Sequence, residues 1–151
     1  MNIFWLDTDL VKNAEAMCDK HIVKMITEYA QMLSTINRLN GLNEGYKIAH
    51  QNHPCTLWVN ESLYNWRLLR LMSYHLHREY YYRYGRRHKA FEMILTLTEP
   101  PIADIGLTTP PLCMPDKYKT ENIIESYRNY YIGDKKDIAQ WKHSEKPKWF
   151  T

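Results

Sequence analysis

Between Pro54 and Gly85 the chain contains neither a glycine nor a further proline, and no other feature limits its folding options as much. These are the residues that most readily break helices, so the stretch reads as one long helix. His53 would cap it, Pro54 would occupy its first turn, and Gly85 would end it. Leu57, Trp58, Leu63, Trp66, Leu68, Leu69, Leu71, Met72 and Leu76 fall around nearly its whole circumference, which predicts a central, buried helix.

The clearest periodicity lies earlier. Ile22, Ile26, Tyr29, Leu33 and Ile36 recur at three- and four-residue spacing and predict a helix over Lys20–Arg38, capped by Asp19 and ended by Asn40-Gly41. Shorter helices are expected from Leu10 to about Cys18 behind Asp9, from Arg86 to about Thr98, and from Glu121 to about Trp141 behind Thr120, with Gly133 a kink or break. Asn2–Leu6 reads as a buried extended segment or an N-terminal strap. Residues 99–120 carry Pro100, Pro101, Pro110, Pro111 and Pro115 without periodicity, as a lid or a structural strap would. The expected fold is all-α: one compact domain over residues 1–151, a helical bundle around a long central helix with a Pro-rich strap and a short extended N-terminus.

Several function classes drop out. The first residues lack a basic region and a long apolar core, so no signal peptide is expected, and no stretch is apolar enough for a membrane span. Cys18, Cys55 and Cys113 form an odd set without a CxxC pair, which argues against a disulfide framework and fits a reducing cytoplasm. His75 and His77 fall on different helix faces, His50 and His53 sit in a loop, and Asp9 of the Asp7/Asp9 pair is better explained as a cap. Neither a metal site nor a cofactor is therefore expected.

Two constellations carry chemistry. On the Lys20–Arg38 helix, His21, Lys24, Glu28, Gln31 and Thr35 share one stripe roughly opposite the apolar face. An imidazole, an amine and a carboxylate on one rigid element suit acid–base work, while a solvated face with a Lys24–Glu28 pair explains the same residues without catalysis. Farther on, Arg78, Arg83, Arg86, Arg87, His88 and Lys89 interleave with Tyr80, Tyr81, Tyr82 and Tyr84. Cations that neutralise phosphate beside rings that stack on bases suit nucleic acid; the rim of a core helix would carry the same residues. Lys146–Phe150, with Trp149, repeats this chemistry on a smaller scale. The net charge of +3 limits any nucleic-acid contact to a local patch.

Taken together these segments resemble the phage pyrimidine-dimer DNA glycosylases, or endonuclease V, a compact all-helical family. That family opens a helix with Asp-Gln-His and places its catalytic Glu seven residues after the His; here Asp19-Lys20-His21 and Glu28 stand at the same spacing. The helix after Pro54 and the closing Pro147-Lys148-Trp149-Phe150 resemble the family's second helix and aromatic tail. The family's nucleophile is a Thr exposed by loss of Met. Asn2 here is too bulky for usual Met removal, so the resemblance implies that Met1 supplies the amine. Ile3, Thr27 and Gln31 stand where the family has arginines, which leaves the DNA grip to Lys20, Lys24, Arg38 or the Arg78–Lys89 cluster.

The resemblance implies an excision enzyme acting on damaged or modified duplex DNA, with Met1, Glu28 and His21 as its catalytic group. Asn2, Lys20, Lys24, Arg83, Arg86, Arg87, Lys89 and Trp149 would be its DNA contacts. An α-amine suits the role because it is less basic than a lysine side chain and stays partly unprotonated near neutrality. Two other classes fit the residues: a non-catalytic nucleotide or nucleic-acid binding protein, and a different nucleotide-processing enzyme. The position of the chain's first nitrogen relative to the Glu28 carboxylate separates them.

Overall fold

A computed structural model describes residues 1–151, and its regular structure is entirely helical. The helices are α1 (Leu10–Ala16), α2 (Asp19–Leu39), α3 (Pro54–Glu61), α4 (Leu63–Tyr84), α5 (Lys89–Ile94) and α6 (Ile123–Gly133), with a 3-10 turn at Asp116–Tyr118. None is long and apolar enough to cross a membrane. One connected cluster of 31 buried apolar residues draws on every α-helix, the N-terminal segment and Phe150 of the tail, so all of them share a core.

The central helix is α2, not the one after Pro54. Ile22, Met25, Ile26, Tyr29, Met32, Leu33 and Ile36 are all buried, and so are the polar His21, Glu28, Ser34, Thr35 and Asn37. The polar stripe expected opposite the apolar face is therefore largely covered: Asn2–Leu6 lies beside α2, and Ile3, Phe4 and Leu6 are buried. Side chains of that size stabilise the docked segment by roughly 1.5–3 kcal/mol each. Asp19 is the first residue of α2 rather than its cap; Cys18 holds that position without a side-chain bond.

The stretch from Pro54 to Tyr84 is two helices. Ser62 breaks it with extended backbone (φ −156°, ψ 142°), and its hydroxyl accepts from the Tyr64 N–H to cap α4. The same hydroxyl accepts from Ile105 N, and Leu63 N donates to the Ala103 carbonyl, so the Pro-rich strap crosses where the helix stops. A serine that can bond its own backbone favours such a cap over a helix interior. The break leaves Leu57 and Leu71 exposed and both Trp58 and Trp66 buried.

The other boundaries follow their caps. Asp9 accepts from Val11 and Lys12 to start α1, and His53 Nδ1 accepts from Cys55 N to start α3 with Pro54 in its first turn. Gly85 ends α4 with left-handed backbone, and His88 starts a shorter α5. Asn122, not Thr120, caps α6, which stops at Gly133. Residues 99–120 pack as a strap: Trp58 Nε1 donates to the Thr108 carbonyl, and Asn65 Nδ2 donates to Thr108 Oγ1.

Candidate active site

Glu28 sits halfway along α2 and is only 9% exposed. A buried carboxylate needs partners, and it has three. Its Oε2 accepts from the Asn2 N–H at 3.1 Å and lies 3.9 Å from the Met1 amine; its Oε1 lies 3.5 Å from Lys24 Nζ, one helical turn earlier. Lys24 is 64% exposed, so its charge is largely screened by water. The Met1 side chain is 3% exposed although the residue as a whole is partly exposed, so its accessible surface belongs to the main-chain end.

Asn2 holds this end in register. Its Nδ2 donates to the Cys113 carbonyl at 2.8 Å, and its Oδ1 accepts from Ile3 N at 2.8 Å and from the Tyr127 hydroxyl at 3.0 Å. Leu6 N and Asp7 N both donate to Asn13 Oδ1 on α1, and Arg128 of α6 donates to the Leu6 carbonyl and pairs with Asp7. These bonds tie the segment to α1, α2, α6 and the strap. Asp7 and Asp9 are engaged in these ties and in capping α1.

His21 belongs to this packing and not to the charged group. Its ring stacks on Phe4 (centroids 4.5 Å apart, planes at 20°), and Nδ1 faces the Tyr131 hydroxyl at 2.5 Å. Burial, and secondarily the positive charges of Lys135, Lys24 and Lys20, push its pKa down to about 3. It is neutral at physiological pH and makes no hydrogen bond to Glu28. Of the expected stripe, Glu28 and Lys24 meet the chain's first residues, and His21 packs apart from them.

The expected DNA contacts divide. Lys20, Lys24, Arg86, Arg87 and Lys89 are exposed. His88, between Arg87 and Lys89, bonds the Val23 carbonyl at 2.9 Å and so brings that basic turn against the part of α2 that carries Lys20 and Lys24. Arg38, also considered for the grip, is instead tied to Tyr46, Asn43 and Gly45 of the following loop.

Arg83 is a correction: its side chain is 0% exposed and its guanidinium bonds Glu79, Asp19 and the Met17 and Glu15 carbonyls. It has no surface to offer a phosphate. Asn2, 8% exposed, is likewise occupied by the fold. Trp149 is half-buried under the Arg128 guanidinium, 5.1 Å from its ring centre, and beside Tyr131. Arg78 instead lines, with Val11, Glu15, His75, Glu79 and Tyr82, a cleft of about 500 Å³ that shares no residue with the Met1–Glu28 pair.

The profile of the pyrimidine dimer DNA glycosylases matches residues 1–93, more than half of the chain. The chain belongs to that family. The match takes in Met1, Asn2, Lys24 and Glu28 and ends inside α5, before the strap, α6 and the aromatic tail. Two groups that hold the family member's first residues, Cys113 and Tyr127, therefore come from outside the matched region. No curated protein and no solved structure matches the chain.

Sequence reasoning also missed a cluster beside Asn2. His53, Cys55 and Cys113 place one ligand-type atom each within 4.8 Å of the others, against the expectation that no metal-type grouping forms. A hydrogen bond joins the Cys55 and Cys113 thiols, their sulfurs 3.6 Å apart. That hydrogen bond holds the Cys113 thiol down at about 7, helped by Lys119 and the chain's terminal amine against the effect of burial, and pushes Cys55 well above the ordinary thiol range. Cys55 and Cys113 are 58 positions apart, so no spacing rule would have paired them.

Proposed function

We propose that this family member is a DNA glycosylase with lyase activity, in which the Met1 amine is the nucleophile and Glu28 manages charge and protons. One observation carries the reading: an α-amine and a buried carboxylate meet at 3.9 Å, with the next backbone N–H fixed to the same oxygen. A lone amine on a loose end would have to be ordered at each turnover; this one is placed beforehand.

In the proposed reaction the unprotonated amine forms a bond to C1′ of the damaged nucleotide, and the bond from C1′ to the base breaks as the base takes a proton. The sugar ring opens to a protonated imine, whose positive charge Glu28 faces. Loss of a C2′ proton then expels the 3′ phosphate and cuts the strand. Lys20, Lys24, Arg86, Arg87 and Lys89, exposed on neighbouring turns, supply the phosphate contacts. The family description implies DNA as the substrate.

The test is borohydride trapping on ultraviolet-irradiated and abasic duplexes, after intact mass has verified a free Met1 amine. A covalent complex is expected, absent when the amine is acetylated and slowed by about 10²-fold or more in Glu28→Gln. Failure to trap on either duplex would sink the amine mechanism. Trapping that survives acetylation would move the nucleophile to a lysine.

A further inference from the structure

The strap and α3 meet beside Asn2 in a cluster that the excision chemistry does not use. Cys55 is fully buried at the first turn of α3, Cys113 comes from the strap, and both it and His53 are partly exposed. Their ligand atoms lie within 4.8 Å of one another. Such a set has few bland explanations. A thiol buried as a small apolar group needs no second thiol and no imidazole facing it. The two sulfurs, 3.6 Å apart, are not bonded to each other.

The distances fit a metal edge. Two thiolates bound at ~2.3 Å to a tetrahedral centre stand ~3.8 Å apart, close to what is seen here, and the third side closes by roughly an ångström when the imidazole moves in. Thiolate and imidazole together select a soft or borderline cation, zinc before the hard oxygen-binding ions. Three protein ligands leave the fourth position to water.

We infer that His53, Cys55 and Cys113 form a binding site for one zinc ion, which ties the Pro-rich strap to the start of α3. Binding converts both thiols to thiolates and releases their protons to solvent. It also carries a local signature. The His53 ring holds one lone pair, now given to the Cys55 N–H as the helix cap. Whichever ring nitrogen takes the metal, that cap bond is given up, because the other nitrogen then carries the proton. Cys113 also presents its carbonyl to the Asn2 side chain, so the ion sits one residue from the anchor of the chain's first turn. The site stands whether or not Met1 is a nucleophile.

The experiment is zinc titration of the full chain, reduced and stripped with chelator, against a chromophoric competitor, with cobalt as a spectroscopic stand-in. One ion per chain is expected, with a thiolate-to-cobalt charge-transfer band and a shifted Cys55 backbone amide resonance. Cys113→Ser should abolish uptake. His53→Asn, which keeps a side-chain acceptor for the helix cap, should weaken it at least about tenfold while leaving the apo melting temperature near the wild-type value. No saturable uptake, or uptake unchanged in Cys113→Ser, overturns the site. So does protein that, purified without reductant, is two hydrogens lighter with Cys55 and Cys113 disulfide-linked and, once reduced, still takes up no zinc.

Discussion

Replacing Arg83 with Met tests whether its guanidinium is a buried clamp on α1 and α2. The guanidinium is fully buried and holds four groups: Glu79 Oε1 at 2.8 Å, Asp19 Oδ1 at 3.1 Å, the Met17 carbonyl at 2.8 Å and the Glu15 carbonyl at 3.0 Å. Met fills most of the same volume, so the cavity cost is small and the lost bonds dominate. The two carbonyls at the end of α1 would each lose a charge-assisted bond, about 1.5 kcal/mol apiece. The carboxylates, 15% and 12% exposed, recover some hydration and lose about 1 kcal/mol each. The total of about 5 kcal/mol lies at the upper end of the roughly 3–5 kcal/mol found when one partner of a buried ion pair is removed. Asp19 also accepts from Lys142 N, so the damage spreads to the C-terminal tail. Urea denaturation should show this loss as a fall in midpoint with little change in slope, while the exposed Arg87→Met stays within about 0.5 kcal/mol of wild type. The two variants reverse in DNA affinity: Arg87→Met lowers it and its salt dependence, and Arg83→Met does so only in proportion to unfolding. A stability loss under about 1 kcal/mol, or a salt slope changed by Arg83→Met in folded protein, would refute the buried-clamp assignment.

Three other outcomes are expected. His21 is neutral in the folded chain down to about pH 3, whereas unfolded histidine takes a proton near 6.5. Its contribution is complete above that value and is lost as pH falls, at up to about 1.4 kcal/mol per pH unit. His21→Phe, which keeps a ring against Phe4, should flatten the stability profile between pH 6.5 and 5 relative to wild type; parallel profiles would contradict the burial argument. Asn2→Ala leaves the Cys113 carbonyl without its donor and frees the chain's start, costing about 1–3 kcal/mol and at least about tenfold in trapping rate; unchanged trapping would show that the amine needs no anchor. Gly45 has φ +73°, and a Cβ there would overlap the Ser34 hydroxyl and Leu97, so Gly45→Ala should destabilise by about 2–4 kcal/mol in thermal unfolding. A loss below about 1 kcal/mol would mean the loop moves aside at little cost.

The local elements follow from residues a few positions apart along the chain. Helical periodicity and the absence of strand patterning made the chain all-α, and Asp9, His53 and Gly85 marked helix ends because a cap or a left-handed residue acts on neighbours a few positions away. The spacing of Asp19, His21 and Glu28 pointed to the family for the same local reason. Ser62 was harder to read, since its helix break is completed by Ile105 from the strap.

Which polar groups stay free depends on how distant segments pack. Arg83 and His21 have the composition of a surface cluster and a catalytic stripe, yet each is buried by segments far away in the chain, and burial rather than residue type sets charge and availability. The meeting of Met1 with Glu28, and of Cys55 with Cys113, depends on how the N-terminal segment and the strap dock, which no periodicity along α2 or α3 encodes.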